Sequence, residues 1–495
     1  MLVLYRMMGD KSRWVRWFSE LSNKDVSIAG GKGASLAEMY NNKFPVPPGF
    51  IVTAQAYDYF IEKSGLRNII MTLLKEIDVD DIKQLDIRAK KIRHLIEEAS
   101  MPEEMKLEIA EAYEMLDVEK SKFHGASGGA LAILRNSHEP PFVAVRSSAT
   151  TEDLADASFA GQQESFLNVK GSESLVHFVK KCFASLFTAR AIYYRKKKGF
   201  FNEQSYLAVV VQKMIDSQKS GVMFSKNPLK NDGNIIIEAV FGLGEGIVSG
   251  MISPDHYILD KNLEIIDRKV SDKKIALTRS SSGKTEQVTL KPEISTRDVL
   301  TGYELKVLGQ YGQQLEEHYG KPQDIEFAID QDGIFIVQSR PITTKSYDHA
   351  EEIEGNILMS GLAASPGIAS GIVKIVHSVD ELSKINKGNI LVTIMTSPDM
   401  VVAMAKSAAI ITDEGGATSH AAIVSREMGI PAVVGTRIAT QSLKEGQLVT
   451  VDGFTGRVFD GKAVEKKVEI KQIVPTRKTK IKVIVDLPDY ALRAA

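Results

Sequence analysis

The stretch Thr412-D-E-G-G-A-T-S-H-A-A-I-V-S-R-E-M-G-I-P-A-V-V-G-Thr436 decides how the second half of the chain is read. Ala408–Thr412 has the composition of a buried strand, Gly415-Gly416 that of a tight turn, and Ala421–Met428 that of a helix ended by Gly429 and Pro431. His420 therefore falls at a helix N-terminus, where free backbone N–H groups and the positive end of the dipole favour an anion. Two readings of that imidazole stand at this level. It caps a helix, or it accepts a phosphoryl group whose charge the N–H groups stabilise on arrival. Thr418 and Ser419 add hydroxyl groups beside it. With the compact strands I-L-V-T, A-A-I-I-T and Q-L-V-T-V-D, the region from about Gly361 to Gly461 is predicted to be an α/β module.

On either side of this module the composition changes. Lys345–Gly355 is polar and acidic and is predicted to be a linker. Lys462–Lys482 carries eight basic and two acidic residues around Pro475, a second linker, and is followed by the strand signal Ile481-K-V-I-V-Asp486. The N-terminal part alternates between helix and strand. Gly31–Tyr40 begins with glycines and continues with good helix formers, and Phe50–Thr53 is a short strand. Ala54 to about Lys120 has helical spacing. From Phe142 onward short β-rich runs dominate, F-V-A-V-R, S-F-L-N-V, L-A-V-V-V-Q-K-M, I-I-I-E-A-V and H-Y-I-L-D, with a helical stretch at Leu175–Lys198. The last of these runs is a hairpin, Asp324-I-E-F-A-I-D-Q-D-G-I-F-I-V-Gln338, with its turn signal at Asp332-Gly333.

Length and charge narrow the function. At 495 residues the chain holds two to four domains. Lys plus Arg (62) balance Asp plus Glu (63), so no overall field draws it to nucleic acid or an anionic membrane, and any anion must be held locally. Met1–Trp17 has no apolar core of a secretory signal, and the most apolar long stretch, Ile235–Ile252, is interrupted by Glu238 and Glu245. The single cysteine, Cys182, excludes an internal disulfide. A cytoplasmic protein is expected.

Within the N-terminal part three clusters suit phosphate chemistry. Gly30-G-K-Gly33 sets Lys32 in a glycine turn before a helix, which fits either a phosphate cradle or a solvated lysine. V-A-V-R-S-S ends a strand with Arg146, whose guanidinium suits bidentate phosphate contact, and F-A-G-Q-Q-E-S follows with Gly161 and Ser165. In the closing hairpin, Asp324 and Glu326 share one strand face, Gln338 comes opposite Glu326, and Arg340 lies two residues on. Two carboxylates, an amide oxygen and a guanidinium fit Mg²⁺ bridging triphosphate oxygens, and they equally fit an exposed polar sheet face. Gln212 is a polar residue in an apolar strand and needs a partner.

G-G-A-T-S-H-A-A-I-V-S-R-E-M-G-I-P-A-V-V-G resembles the phosphohistidine signature of the PEP-utilising enzymes, which include phosphoenolpyruvate synthases, pyruvate phosphate dikinases and rifampicin phosphotransferases. The clusters around Lys32, Arg146, Gly161, the hairpin and Q-S-R-P resemble the ATP-grasp domain of the same family. The resemblance implies an α/β and α+β multidomain protein: an ATP-grasp domain at residues 1–344, a linker at 345–356, a swivelling β/β/α phosphohistidine domain at 357–461, and at 462–495 a charged linker with the first strand of a TIM-type barrel. It implies His420 as the phosphorylated residue. Lys32, Arg146, Gly161, Ser165, Gln212, Glu326, Gln338 and Arg340 become contacts to ATP, with Gln212 beside the adenine and Ser165 at a position often occupied by threonine. Asp324, Glu326 and Gln338 become Mg²⁺ ligands. Glu245, in F-G-L-G-E-G, and the following S-P-D-H-Y match the family pattern, and their glycine density fits either a loop over the nucleotide or a structural turn. The implied reaction phosphorylates His420 from the β-phosphoryl group of ATP and passes it to pyruvate, giving phosphoenolpyruvate, AMP and phosphate. The barrel that binds pyruvate is expected from a partner chain or a longer gene product, and a homodimer is compatible with this reading. The short 345–355 segment between the two units disfavours rifampicin as the acceptor. A phosphotransferase with another small acceptor, or a non-catalytic nucleotide-binding subunit, are the alternatives.

Overall fold

The computed structural model describes residues 14–79, 81–116, 140–150, 153–154, 157–158, 164–197, 206–228, 233–280, 283–342, 352–462 and 464–466. Gly161, the predicted linker residues 345–351 and the predicted strand Ile481–Asp486 lie outside them.

The N-terminal part is built on two antiparallel sheets. The first has five strands in the order Val15–Trp17, Gly49–Val52, Leu207–Lys213, Val143–Ala149, Ser165–Val169. Alternation along these strands separates two tasks. Val143, Val145, Val209 and Val211 enter a core shared with the helices Ala54–Lys63, Leu66–Lys75, Ile82–Glu98, Glu103–Glu114 and Ser172–Ser185. Ala144, Arg146 and Gln212 have the other parity and line a cavity. The second sheet has six strands in the order Ile265–Lys269, Asp255–Leu259, Ile235–Phe241, Lys219–Phe224, Gln323–Ile329, Ile334–Pro341. Its Ile235, Ile237, Met223, Ile325 and Phe327 form a second core with the helices Val26–Asn41 and Gly302–Tyr319. The Val26–Asn41 helix belongs to the same core as Ile51, Ala208 and Val210 of the first sheet, which ties the two sheets together.

The predicted helix over Gly31–Tyr40 is present, and a short helical turn from Val26 precedes it, the two separated at Gly30, whose φ of 68° and ψ of 172° are not helical. Two expectations are corrected here. The Leu175–Lys198 stretch is two helices, Ser172–Ser185 and Ala189–Lys197, because Thr188 between them turns its hydroxyl to the Ala191 N–H at 3.3 Å and starts a new cap. Parts of both predicted linkers are ordered against each other: Glu352–Glu354 pairs antiparallel with Val464–Lys466.

The second unit is a mixed sheet of eight strands running from Ile357–Ser360 to Arg457–Asp460, with Asn389–Thr393, Ala409–Thr412 and Ala432–Val434 parallel at its centre. These three are buried on both faces, by the Val401–Lys406 and His420–Met428 helices on one side and by Ala439, Leu443 and Val458 on the other. That arrangement directs the carboxyl ends of the parallel strands, and the loops that follow them, toward the first unit.

Candidate active site

His420 is the first residue of the His420–Met428 helix, and Ser419 caps it by accepting the Ala422 N–H at 3.5 Å. The imidazole is buried, with Nδ1 2.8 Å from the Thr396 hydroxyl, while Nε2 is buried without a hydrogen-bond partner among the described residues. Thr396 follows the neighbouring parallel strand, so two adjacent strand ends bring the pair together. Burial, with the charge of Arg190 behind it, pushes the imidazole down to about 4, which keeps it neutral at physiological pH. In the tautomer whose Nδ1–H donates to the Thr396 hydroxyl, Nε2 carries the free lone pair.

A cavity of about 290 Å³ lies between the two units and is lined by His420 and Thr418 on one side. On the other side it is lined by Lys32, Arg146, Ser165, Gln212, Glu245, Asp324, Glu326, Gln338 and Arg340. All the nucleotide-site residues predicted within the described part therefore meet at one cavity. Gly30 is held so close to the Val143–Ala149 strand that a Cβ would sit 2.2 Å from the Ser148 carbonyl oxygen. Ser148 accepts the Gly33 N–H at 3.0 Å and donates to the Ala29 carbonyl at 2.8 Å. Lys32 Nζ donates to the Ser147 carbonyl at 3.2 Å. Arg146 donates to the Val337 carbonyl at 3.0 Å and lies 3.7 Å from Glu326, and its Nε is buried without a partner among the described residues. Gln212 donates to the Pro47 carbonyl at 3.3 Å, the partner its burial demands.

The hairpin pairs Glu326 with Gln338 and Asp324 with Arg340 across the strands. A bulge at Val337 creates this register: Phe327 pairs with Ile336, then Glu326 with Gln338, and the carbonyl of the extra residue is the one Arg146 holds. Asp324 first serves Arg340, whose Nε and a terminal nitrogen both lie 2.9 Å from the same carboxylate oxygen. Glu326 and Gln338 stand side by side as hard oxygen donors, which fits Mg²⁺ sharing its sphere with phosphate oxygens and water.

Several functional residues escaped the sequence reading. Glu238 is paired through Val222 into the same cross-strand row as Glu326 and Gln338, and it is buried. Its carboxylate accepts the Ala417 N–H at 3.1 Å, the Thr418 N–H at 3.2 Å and the Thr418 hydroxyl at 2.5 Å, all from the histidine loop. His256, on the adjoining strand, lies 3.4 Å from Glu238. Burial alone would raise the Glu238 carboxyl, but His256, Thr418 and the Ala417 N–H more than offset it and hold it below the usual range. A charge inside I-I-I-E-A-V was the available signal, since a buried carboxylate requires donors. Thr396 and Arg190 left no such signal. In S-P-D-H-Y, Asp255–Tyr257 open the Asp255–Leu259 strand, as the β-rich run H-Y-I-L-D predicts, and not a loop over the cavity; Asp255 is buried against Lys273. Glu245 does line the cavity, from the short helix Glu245–Val248, and burial pushes its carboxyl upward.

The fold and the site define a nucleotide-binding unit facing a histidine carried on a separate α/β unit. The chain belongs to the pyruvate phosphate dikinase family: residues 26–359 match its AMP/ATP-binding domain, and residues 385–456 match the mobile domain of PEP-utilising enzymes. It is 50% identical over 493 residues to a probable phosphoenolpyruvate synthase of Archaeoglobus fulgidus, covering 97% of this chain and 63% of that protein. A probable phosphoenolpyruvate synthase of Methanothermobacter thermautotrophicus is 44% identical, with 98% of this chain and 70% of that protein covered. The phosphoenolpyruvate synthase of Pyrococcus furiosus is 44% identical, with 98% and 64% covered. The chain thus spans 63 to 70% of the length of these three relatives. Among the described residues no helix is long and apolar enough to cross a membrane.

Proposed function

We propose that this chain carries out the ATP half-reaction of phosphoenolpyruvate synthesis, forming a phosphohistidine at His420. The observation that carries the reading is the buried imidazole of His420, kept neutral and with Nε2 unpartnered among the described residues, at a cavity that also holds Lys32, Arg146 and Arg340. Nε2 attacks the β-phosphorus of ATP, an Nε2–P bond forms, and the bond from that phosphorus to the α-phosphate oxygen breaks, so that AMP leaves with the electron pair. Water then removes the terminal phosphoryl group as inorganic phosphate. Thr396 holds the proton on Nδ1, which keeps the attacking lone pair on Nε2. Lys32 and Arg146 hold the phosphate chain while Arg340, steadied by Asp324, adds charge at its end. Glu326 and Gln338, with Asp324 behind them, would hold Mg²⁺, which neutralises triphosphate charge when bound. Gly161 and Ser165 are assigned to the phosphates and Gln212 to the adenine, by family resemblance.

The second half-reaction in this proposal passes the phosphoryl group to pyruvate, held by further residues of a longer chain or by a partner chain carrying a barrel. The reaction is proposed for the cytoplasm, where both substrates are found. With Mg²⁺ and ATP labelled at the β position, the protein should gain an acid-labile label that His420→Ala abolishes, while label at the γ position is lost as phosphate. A wild-type protein that binds ATP yet stays unlabelled would replace this reading with a nucleotide-binding subunit.

A further inference from the structure

Arg190 is the second residue of the Ala189–Lys197 helix of the nucleotide-binding unit, and only 8% of its surface is exposed. Its Nε has no hydrogen-bond partner among the described residues. The helix packs against the Pro398–Met400 turn and the Val401–Lys406 helix of the other unit, immediately after the loop that presents Thr396 to His420. Two buried nitrogens, Arg190 Nε and His420 Nε2, are thus left without partners at the seam between the units. Burying that nitrogen without a partner is costly, and the carboxylates of Glu164 and Asp399 only partly offset the burial of the guanidinium.

We propose that Arg190 is a catalytic residue of the phosphoryl transfer, donating to an oxygen of the phosphoryl group as it bonds to His420 Nε2 and as it rests there. The arriving group satisfies both orphaned nitrogens at once: phosphorus bonds to Nε2, and an oxygen carrying its negative charge accepts from the guanidinium. The electrostatics agree. Burial lowers the affinity of Arg190 for its own proton, with the carboxylates of Glu164 and Asp399 opposing that effect and Arg93 adding to it. The field of Arg190 in turn reaches the His420 imidazole and disfavours its protonated form. Because Arg190 belongs to the nucleotide-binding unit and His420 to the other, the stabilisation exists only while the units are docked. Arg190 therefore promotes loading of the histidine from ATP and is left behind if the phosphorylated unit moves away.

This inference rests on His420 as the phosphoryl acceptor, and the test keeps the two separable. Phosphohistidine formation is followed in the full chain at saturating Mg²⁺ and β-labelled ATP for wild type, Arg190→Gln and Arg190→Lys, with nucleotide affinity measured separately by titration and folding checked by thermal melting. Arg190→Gln is expected to load about a hundredfold more slowly, with ATP affinity within threefold of wild type, and Arg190→Lys is expected to recover part of the rate. Loading of both variants at the wild-type rate would overturn the role of Arg190. A fall in ATP affinity or in melting temperature that accounts for the whole loss of rate would overturn it too, since the residue would then act in binding or folding. An unlabelled wild type would remove the His420 reading and this one with it.

Discussion

Two glycine turns face the same cavity and each leads into a helix, yet they are held differently. The Gly30–Gly33 turn is fastened by its own unit: Ser148 bonds both Gly33 and Ala29, and Lys32 reaches the Ser147 carbonyl. The Gly415–Ser419 turn is held by its own unit, through Arg426 to the Ala417 carbonyl at 2.7 Å and the Ser419 hydroxyl to the Gly416 carbonyl at 2.9 Å, and is in addition fastened from outside. Glu238, on the nucleotide-binding unit, fills the N–H groups of Ala417 and Thr418, and it lies so close that a Cβ on Gly416 would stand 3.0 Å from its carboxylate. The first turn is therefore held whenever the first unit folds, whereas the second gains part of its hydrogen bonding only where the two units meet. Under the proposed function that difference ties the histidine loop to the nucleotide-binding unit at the moment of loading.

Breaking the internally held turn should have the largest effect. Gly30→Ala places a Cβ against a backbone oxygen at a φ of 68°, and neither the strand nor the turn can yield cheaply. The variant should lose about 3 kcal/mol or more of stability, read as a lowered denaturation midpoint, with nucleotide binding lost in proportion.

Acid should act on the other turn. An unfolded chain protonates His420 near pH 6.5, while the folded chain resists to about 4, so between those values the unfolded state binds the additional proton. The contribution of this site is constant above pH 6.5 and is lost as the pH falls toward 4, by about 3 kcal/mol in total. Thermal melting from pH 7.5 to 4.5 should show His420→Asn losing less stability than wild type. Parallel curves would mean that the imidazole is not kept neutral.

Loosening the clasp should have the smallest effect. Glu238→Gln keeps the shape but removes the charge that three donors share, and loading of His420 should slow about tenfold, equivalent to about 1.4 kcal/mol, with ATP affinity unchanged. Equal losses of loading and ATP affinity would show that Glu238 supports the first unit alone and would erase the contrast between the two turns.

The chain order by itself determined a good deal. Short-range patterning marks strands and caps wherever one residue's chemistry limits its neighbours, so the strand-turn-helix around His420, the alternation that turns Arg146 and Gln212 away from their apolar neighbours, and the closing hairpin were all legible. The residue types needed for phosphate and metal contact were legible in the same way, because few side chains supply them. What only the tertiary structure decided is how these pieces meet. The bulge at Val337 accompanies the Gln338–Glu326 pairing that the hairpin pattern predicts, and it hands the Val337 carbonyl to Arg146, a residue of the other sheet. The row from His256 through Glu238 and Val222 to Glu326 and Gln338 joins strands far apart in the chain. Thr396 and Arg190 come near His420 from other elements, and neither carries a mark in its own sequence surroundings. A side chain's partners across an interface follow from the folding of both surfaces, and no local pattern can encode them before those surfaces exist.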